Sequence, residues 1–112
     1  VLRAQQAAID SVQDGIVCGA VDRAAREVIE QAGQGKQFGH STGHGVGLMV
    51  HEGPAVSALS KTRMEQGMLF TVEPGVYIPG WGGVRIEDMV FLSESGPKVL
   101  TKLSRDLVIR RS

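Results

Sequence analysis

The strongest constraint on the fold of this 112-residue chain is the punctuation of its second half. Four short apolar runs, Met68 to Val72, Val76 to Ile78, Val84 to Ile86 and Met89 to Leu92, are bounded by Pro74-Gly75, Pro79-Gly80, Gly82-Gly83 and Ser95-Gly96-Pro97. Such runs are too short for ordinary helices, and the Pro/Gly pairs place a turn at each boundary, so the segment predicts hairpin-connected strands. Lys98 to Leu100 and Leu107 to Ile109 read as closing strands.

The first third has a different period. Residues 1 to 14 set Val1, Leu2, Ala4, Ala8, Ile9 and Val12 near a helical repeat that Gly15 closes. Ile16 to Gly19 read as a connection. Asp22 reads as the N-cap of a second helix, with Ala25, Val28, Ile29 and Ala32 on its apolar stripe and Gly33 and Gly35 ending it. Helices followed by strands imply an α+β fold, read as one domain over residues 1–112.

Charge and apolar content limit the function classes. Twelve acidic and twelve basic residues balance, which argues against nucleic acid or an anionic membrane surface as partner. No apolar run is long enough to span a bilayer, and no basic-then-apolar leader opens the chain. The single cysteine, Cys18, precludes an intrachain disulfide and fits a reducing compartment, so the expectation is cytoplasmic. The chain opens at Val1 inside a helical pattern, which suggests part of a longer protein.

Between helices and strands lies a glycine-rich stretch, Phe38 to Pro54, that holds all three histidines, His40, His44 and His51. Glycines let the backbone approach a ligand and provide little bulk to pack a core histidine, so the clustering points to a site. Glu73 and Glu87 each follow an apolar residue in stretches that read as strands, so each is expected to face opposite to its neighbour, into an interior. One such glutamate alone reads as solvent-facing. Two, on neighbouring strands beside a histidine cluster, need pairing, hydrogen bonds or a metal. One imidazole with several carboxylates suits manganese, cobalt, iron or zinc in a hydrolytic site rather than a structural zinc site. Residue chemistry reaches a carboxylate–histidine metallohydrolase site but no substrate.

The strings Thr42-Gly43-His44-Gly45-Val46-Gly47, Val50-His51-Glu52, Val72-Glu73-Pro74-Gly75 and Arg85-Ile86-Glu87-Asp88, in this order and spacing, resemble the pita-bread metallopeptidases, the group of methionine aminopeptidases, Xaa-Pro aminopeptidases and prolidases. The resemblance covers nearly the whole chain. It implies the C-terminal half of a pita-bread fold, two helices followed by a curved antiparallel sheet. It implies that His44, Glu73 and Glu87 are metal ligands, with Glu87 bridging two divalent ions and Glu73 also relaying protons. His51 corresponds to a catalytic histidine near the scissile carbonyl, where a donor to developing oxyanion charge lowers the barrier. His40, four residues before His44, and Arg85, two before Glu87, resemble the proline-specific group, with His40 and His51 contributing to catalysis and both, with Arg85, lining the substrate site.

The implied reaction is metal-assisted hydrolysis of the bond between an N-terminal residue and proline, with manganese first among the metals and cobalt, zinc or iron as alternatives. The implied substrate is a peptide with proline at the second position, and the implied assembly a homodimer. Methionine aminopeptidase is the alternative within this chemistry, and a non-catalytic peptide- or protein-binding module the alternative outside it. The family's two aspartate ligands lie N-terminal to the first helix; Asp10, Asp14 and Asp22 lack the context to replace them, so the isolated chain is expected to be inactive. Met49 stands where relatives often carry an acidic residue, implying a more apolar surface there.

Overall fold

The structure is a computed structural model and describes residues 1–111. Two helices lead. Helix α1, Leu2–Ser11, buries Ala4, Gln5, Ala8 and Ile9, a spacing that keeps one face inward. Helix α2, Cys18–Gln31, buries Cys18, Gly19, Val21, Asp22, Ala25 and Ile29 and packs on α1. The helix therefore starts before Asp22, with Val17 at the N-cap, and Asp22 is a fully buried residue within it rather than a cap. The connection read over Ile16 to Gly19 shortens accordingly. Among the described residues no side chain caps α2; instead its first amides donate to the loop that follows the histidine stretch, Cys18 N to the Thr62 carbonyl at 2.8 Å and Gly19 N to the Ser60 carbonyl at 3.2 Å. A side chain at Gly19 would intrude on that loop, its Cβ lying 2.8 Å from the Ser60 oxygen.

A short 3₁₀ turn, Gly35–Gln37, leads, among the described residues, into seven strands: β1 Gly43–Gly45, β2 Glu52–Val56, β3 Leu69–Val72, β4 Gly75–Ile78, β5 Gly82–Arg85, β6 Asp88–Ser93 and β7 Gly96–Val99. Five form an antiparallel sheet in the order β2-β1-β3-β6-β7, and β4 and β5 pair as a separate two-stranded ribbon. The four apolar runs correspond to β3, β4, β5 and β6. Lys98 and Val99 close the sheet in β7, whereas Leu107 to Ile109 form no strand and are exposed.

Residues alternate faces along β3 and β6. Phe70, Val72, Val90 and Leu92 are buried and join Ile9, Val21, Ala25, Ile29, Val56 and Met64 in the core between sheet and helices. Thr71 and Met89, paired in register, belong to the opposite face. The register also sets Val72 opposite Asp88, so the residues just outside that pair, Glu73 and Glu87, share the face of Thr71 and Met89. Strand β1 is a three-residue strand in which only His44 carries a side chain. A Cβ on Gly43 would overlap the Thr71 carbonyl and one on Gly45 the Gly53 carbonyl, an approach that only glycine permits. A register irregularity between His44 and Gly45 in the β1–β2 pair marks a local bulge at the histidine.

Candidate active site

The cleft on the sheet face opposite the helices has a volume of about 440 Å³, and its lining includes His44, His51, Thr71, Glu73, Arg85 and Glu87. Five of the six sequence-predicted residues thus meet in one place, although they come from β1, from the loop after it and from the ends of β3, β5 and β6. The glutamates are not inside strands as expected. Glu73 follows the last residue of β3 and Glu87 precedes the first of β6, so both sit where the sheet opens.

His44 is oriented by its backbone and by its own ring. Its amide donates to Thr71 Oγ1 at 3.1 Å. Its Nδ1 lies 2.9 Å from the Gly45 carbonyl, an acceptor, so in the neutral ring Nδ1 carries the proton and Nε2 presents a lone pair. That Nε2 faces Oε1 of Glu73 at 3.8 Å. Two electron-pair donors facing each other are unfavourable unless a proton or a cation lies between them. Two metal–ligand bonds of about 2.1 Å span up to ~4.2 Å, so this pair can share one ion.

Glu73 carries a second sign of the same frustration. Burial, and then the neighbouring Glu87 carboxyl, push it above the ordinary carboxylate range, while His44 and Arg85 pull it back. The donor set therefore fits a divalent cation in kind. It does not enclose one: among the described residues no three His, Cys, Asp or Glu side chains stand close enough to hold a metal by themselves.

His51, exposed, lies beside His44 with ring centroids 4.1 Å apart. The adjoining loop exposes Leu48, Met49 and Val50, the apolar surface expected from Met49. His40 stands apart from the cleft lining. Its Nδ1 faces the Ser41 carbonyl at 2.8 Å, so in the neutral ring it donates there and its Nε2 accepts from the Tyr77 hydroxyl at 3.0 Å. Tyr77, four residues after Glu73 on β4, was not singled out from sequence; its ring packs so closely over Gly75 and Gly83 that a Cβ at either would collide with it. Also unforeseen are Thr71, the acceptor for the His44 amide, and Asp88, buried beside Glu87 and accepting from Gln5 Nε2 at 2.7 Å and from Arg105 Nε at 2.8 Å. An aspartate directly after a candidate ligand was the one sequence signal available for that cluster.

Residues 1–94 match metallopeptidase family M24. The chain is 49% identical over 108 residues to an Xaa-Pro dipeptidase of Pyrococcus horikoshii, covering 96% of this chain and 31% of the relative. It superposes on the prolidase from Pyrococcus furiosus with a TM-score of 0.92 at 48% identity, over 94% of this chain and 31% of that one. An Xaa-Pro dipeptidase from Bacillus anthracis gives a TM-score of 0.95 at 45% identity, over 98% and 31%. The chain thus spans about a third of the length of these relatives and corresponds to the C-terminal part of their fold.

Proposed function

The chain belongs to metallopeptidase family M24, a family that implies divalent metal ions, and from that premise we propose that it forms one wall of the active site of an Xaa-Pro peptidase. The observation that carries the reading is the His44–Glu73 pair: an imidazole lone pair and a carboxylate oxygen 3.8 Å apart, beside the carboxyl of Glu87, an arrangement that a cation relieves. Relatives named Xaa-Pro dipeptidase or prolidase support the substrate class, a peptide with proline second.

In this reading His44, Glu73 and Glu87 would hold two divalent ions, manganese by preference, which would supply Lewis-acid polarisation of the scissile carbonyl and a more acidic water. The chain's own residues do the rest. Glu73, whose carboxyl faces His44 Nε2, takes a proton from the attacking water and passes it to the leaving imino nitrogen. His51 donates to the developing oxyanion. His40 and Arg85 contact the substrate, Arg85 through a guanidinium suited to carboxylate or carbonyl oxygens. Because the described donors do not enclose a metal, the reading places the remaining ligands, two aspartates, on a part of the fold outside these 112 residues, and the 112-residue chain alone is inactive. A homodimeric, cytoplasmic enzyme completes the reading. Exposed Trp81 and Val84 are apolar surface that a partner subunit or the rest of the polypeptide would cover, and the free thiol of Cys18 fits a reducing compartment.

The test is an assay of the full-length polypeptide that contains this chain, on Xaa-Pro and Met-Xaa peptides, with metal analysis. Cleavage restricted to Xaa-Pro with bound divalent metal is the expected result. Preference for Met-Xaa moves the assignment to methionine aminopeptidase, and purification without stoichiometric metal or turnover moves it to a binding module.

A further inference from the structure

Away from the cleft, α2 carries an ion pair that the proposed chemistry does not use. Asp22 is fully buried and accepts four hydrogen bonds. Its Oδ2 accepts from Arg26 Nε at 2.8 Å; its Oδ1 accepts from Arg26 Nη2 at 2.9 Å, from the Thr42 amide at 3.1 Å and from Thr42 Oγ1 at 2.8 Å. Arg26 then reaches past Asp22. Nη1 donates to the Phe38 carbonyl and Nη2 to the His40 carbonyl, both at 2.9 Å, and the guanidinium lies 4.1 Å from the centroid of the Phe38 ring. The pair thus fixes three points of a five-residue stretch, Phe38, His40 and Thr42. From Thr42 the restraint continues, because its carbonyl accepts from the Glu73 amide at 2.7 Å.

A purely structural ion pair would not need this arrangement. Replacing a charge pair of this kind with apolar residues of similar volume is often neutral or stabilising, and Arg26 is itself 23% exposed, so stability alone does not account for the pair's place. Here the reason is geometric. Phe38 and Thr42 are buried, but Gly39, His40 and Ser41 between them are not, and the Phe38 and His40 carbonyls share one planar fork. Only arginine presents donors in that geometry; lysine satisfies Asp22 but cannot reach both carbonyls.

We propose that Arg26, held by Asp22, is a positioning residue that sets the backbone of Phe38 to Thr42 and thereby the place of the His40 ring against Tyr77 and the substrate. The inference rests on the reading of His40 as a substrate contact, and its test has an arm independent of that reading.

In the full-length protein, Arg26→Lys keeps a cation for Asp22 and removes the fork. It is expected to lower kcat/KM on an Xaa-Pro dipeptide about ten- to hundredfold with metal content unchanged. In a His40→Ala background the same substitution is expected to cost less than about twofold, since its effect passes through His40. Equal losses in both backgrounds, or no loss in either, overturn the proposal. Independently of turnover, hydrogen exchange of the segment 38–43 is expected to quicken in Arg26→Lys and in Asp22→Asn while α1 stays protected; unchanged exchange in both variants overturns the clamp whatever the enzyme's substrate. If Arg26→Lys does not fold, the Asp22→Asn/Arg26→Gln double variant, a neutral pair, is read by the same two measurements. A full-length wild type with no Xaa-Pro activity sinks the proposed function and leaves the exchange result to decide the clamp.

Discussion

The Nε2 of His44 and the Oε1 of Glu73 face each other at 3.8 Å, with the opposite ring nitrogen of His44 engaged by the Gly45 carbonyl. The two residues are brought together by the antiparallel contact of β1 and β3, which Gly43 makes close enough at Thr71. The site is therefore built by backbone proximity first and by side-chain choice second.

Removal of single donors follows directly. In the full-length protein, His44→Ala, Glu73→Gln and Glu87→Gln are each expected to reduce bound metal and to lower kcat/KM by about a thousandfold, the several kcal/mol that metal polarisation supplies. His51→Ala is expected to keep the metal and lose about a hundredfold, as for loss of one oxyanion donor. Metal analysis beside steady-state kinetics separates the two classes.

Glu73 gives a pH signature. Its carboxyl titrates above its ordinary value of 4.5 in the fold because of burial and then Glu87, so the native state binds this proton more tightly than the unfolded chain. The metal-free protein is accordingly expected to lose stability as pH rises from 4.5 through the raised folded value, and to regain it below. Melting curves of metal-free protein across that window, with Glu73→Gln as the variant that flattens this contribution, check the sign. Added divalent metal should reverse the trend, because it binds the ionised form.

The close approach of β1 to its neighbours is open to a paired test. Gly43→Ala puts a Cβ onto the Thr71 carbonyl, and overpacking of this kind costs about 1–3 kcal/mol. Gly39→Ala, four residues earlier, meets nothing within 4 Å and is expected to leave stability nearly unchanged. Chemical denaturation of both variants distinguishes a steric requirement at Gly43 from general intolerance of the loop.

Behind Glu87, Asp88 is buried and accepts from Arg105 at 2.8 Å and Gln5 at 2.7 Å. Arg105→Ala leaves that carboxylate short of a partner and is expected to destabilise by about 1–3 kcal/mol. In an Asp88→Asn background the loss is expected to shrink. Thermal melts of the four proteins in this cycle measure the coupling.

Much of this was legible in the chain itself, for identifiable reasons. Runs of apolar residues bounded by Pro/Gly pairs marked β3 to β6 because turn chemistry is local. The histidine cluster and the two glutamates were legible because reactive side chains are scarce within apolar, glycine-rich sequence. Strands β1 and β2 were not, since Gly-His-Gly has no strand propensity and becomes a strand only through its neighbours. Asp22 was misplaced at a helix start for a similar reason: an aspartate near a helix onset ordinarily caps it, and only the tertiary partners Arg26 and Thr42 reveal a buried role. Leu107 to Ile109 read as a strand on composition alone, and no partner strand reaches them among the described residues.

The central claim is that His44, Glu73 and Glu87 hold divalent metal. Crystals of the full-length protein soaked in manganese and measured at a wavelength where manganese scatters anomalously test it most directly. Two anomalous peaks roughly 3.5–4 Å apart, with His44 Nε2 on one and Glu87 between them, are predicted. Peaks that avoid these three side chains, or none at saturating metal, would contradict the account.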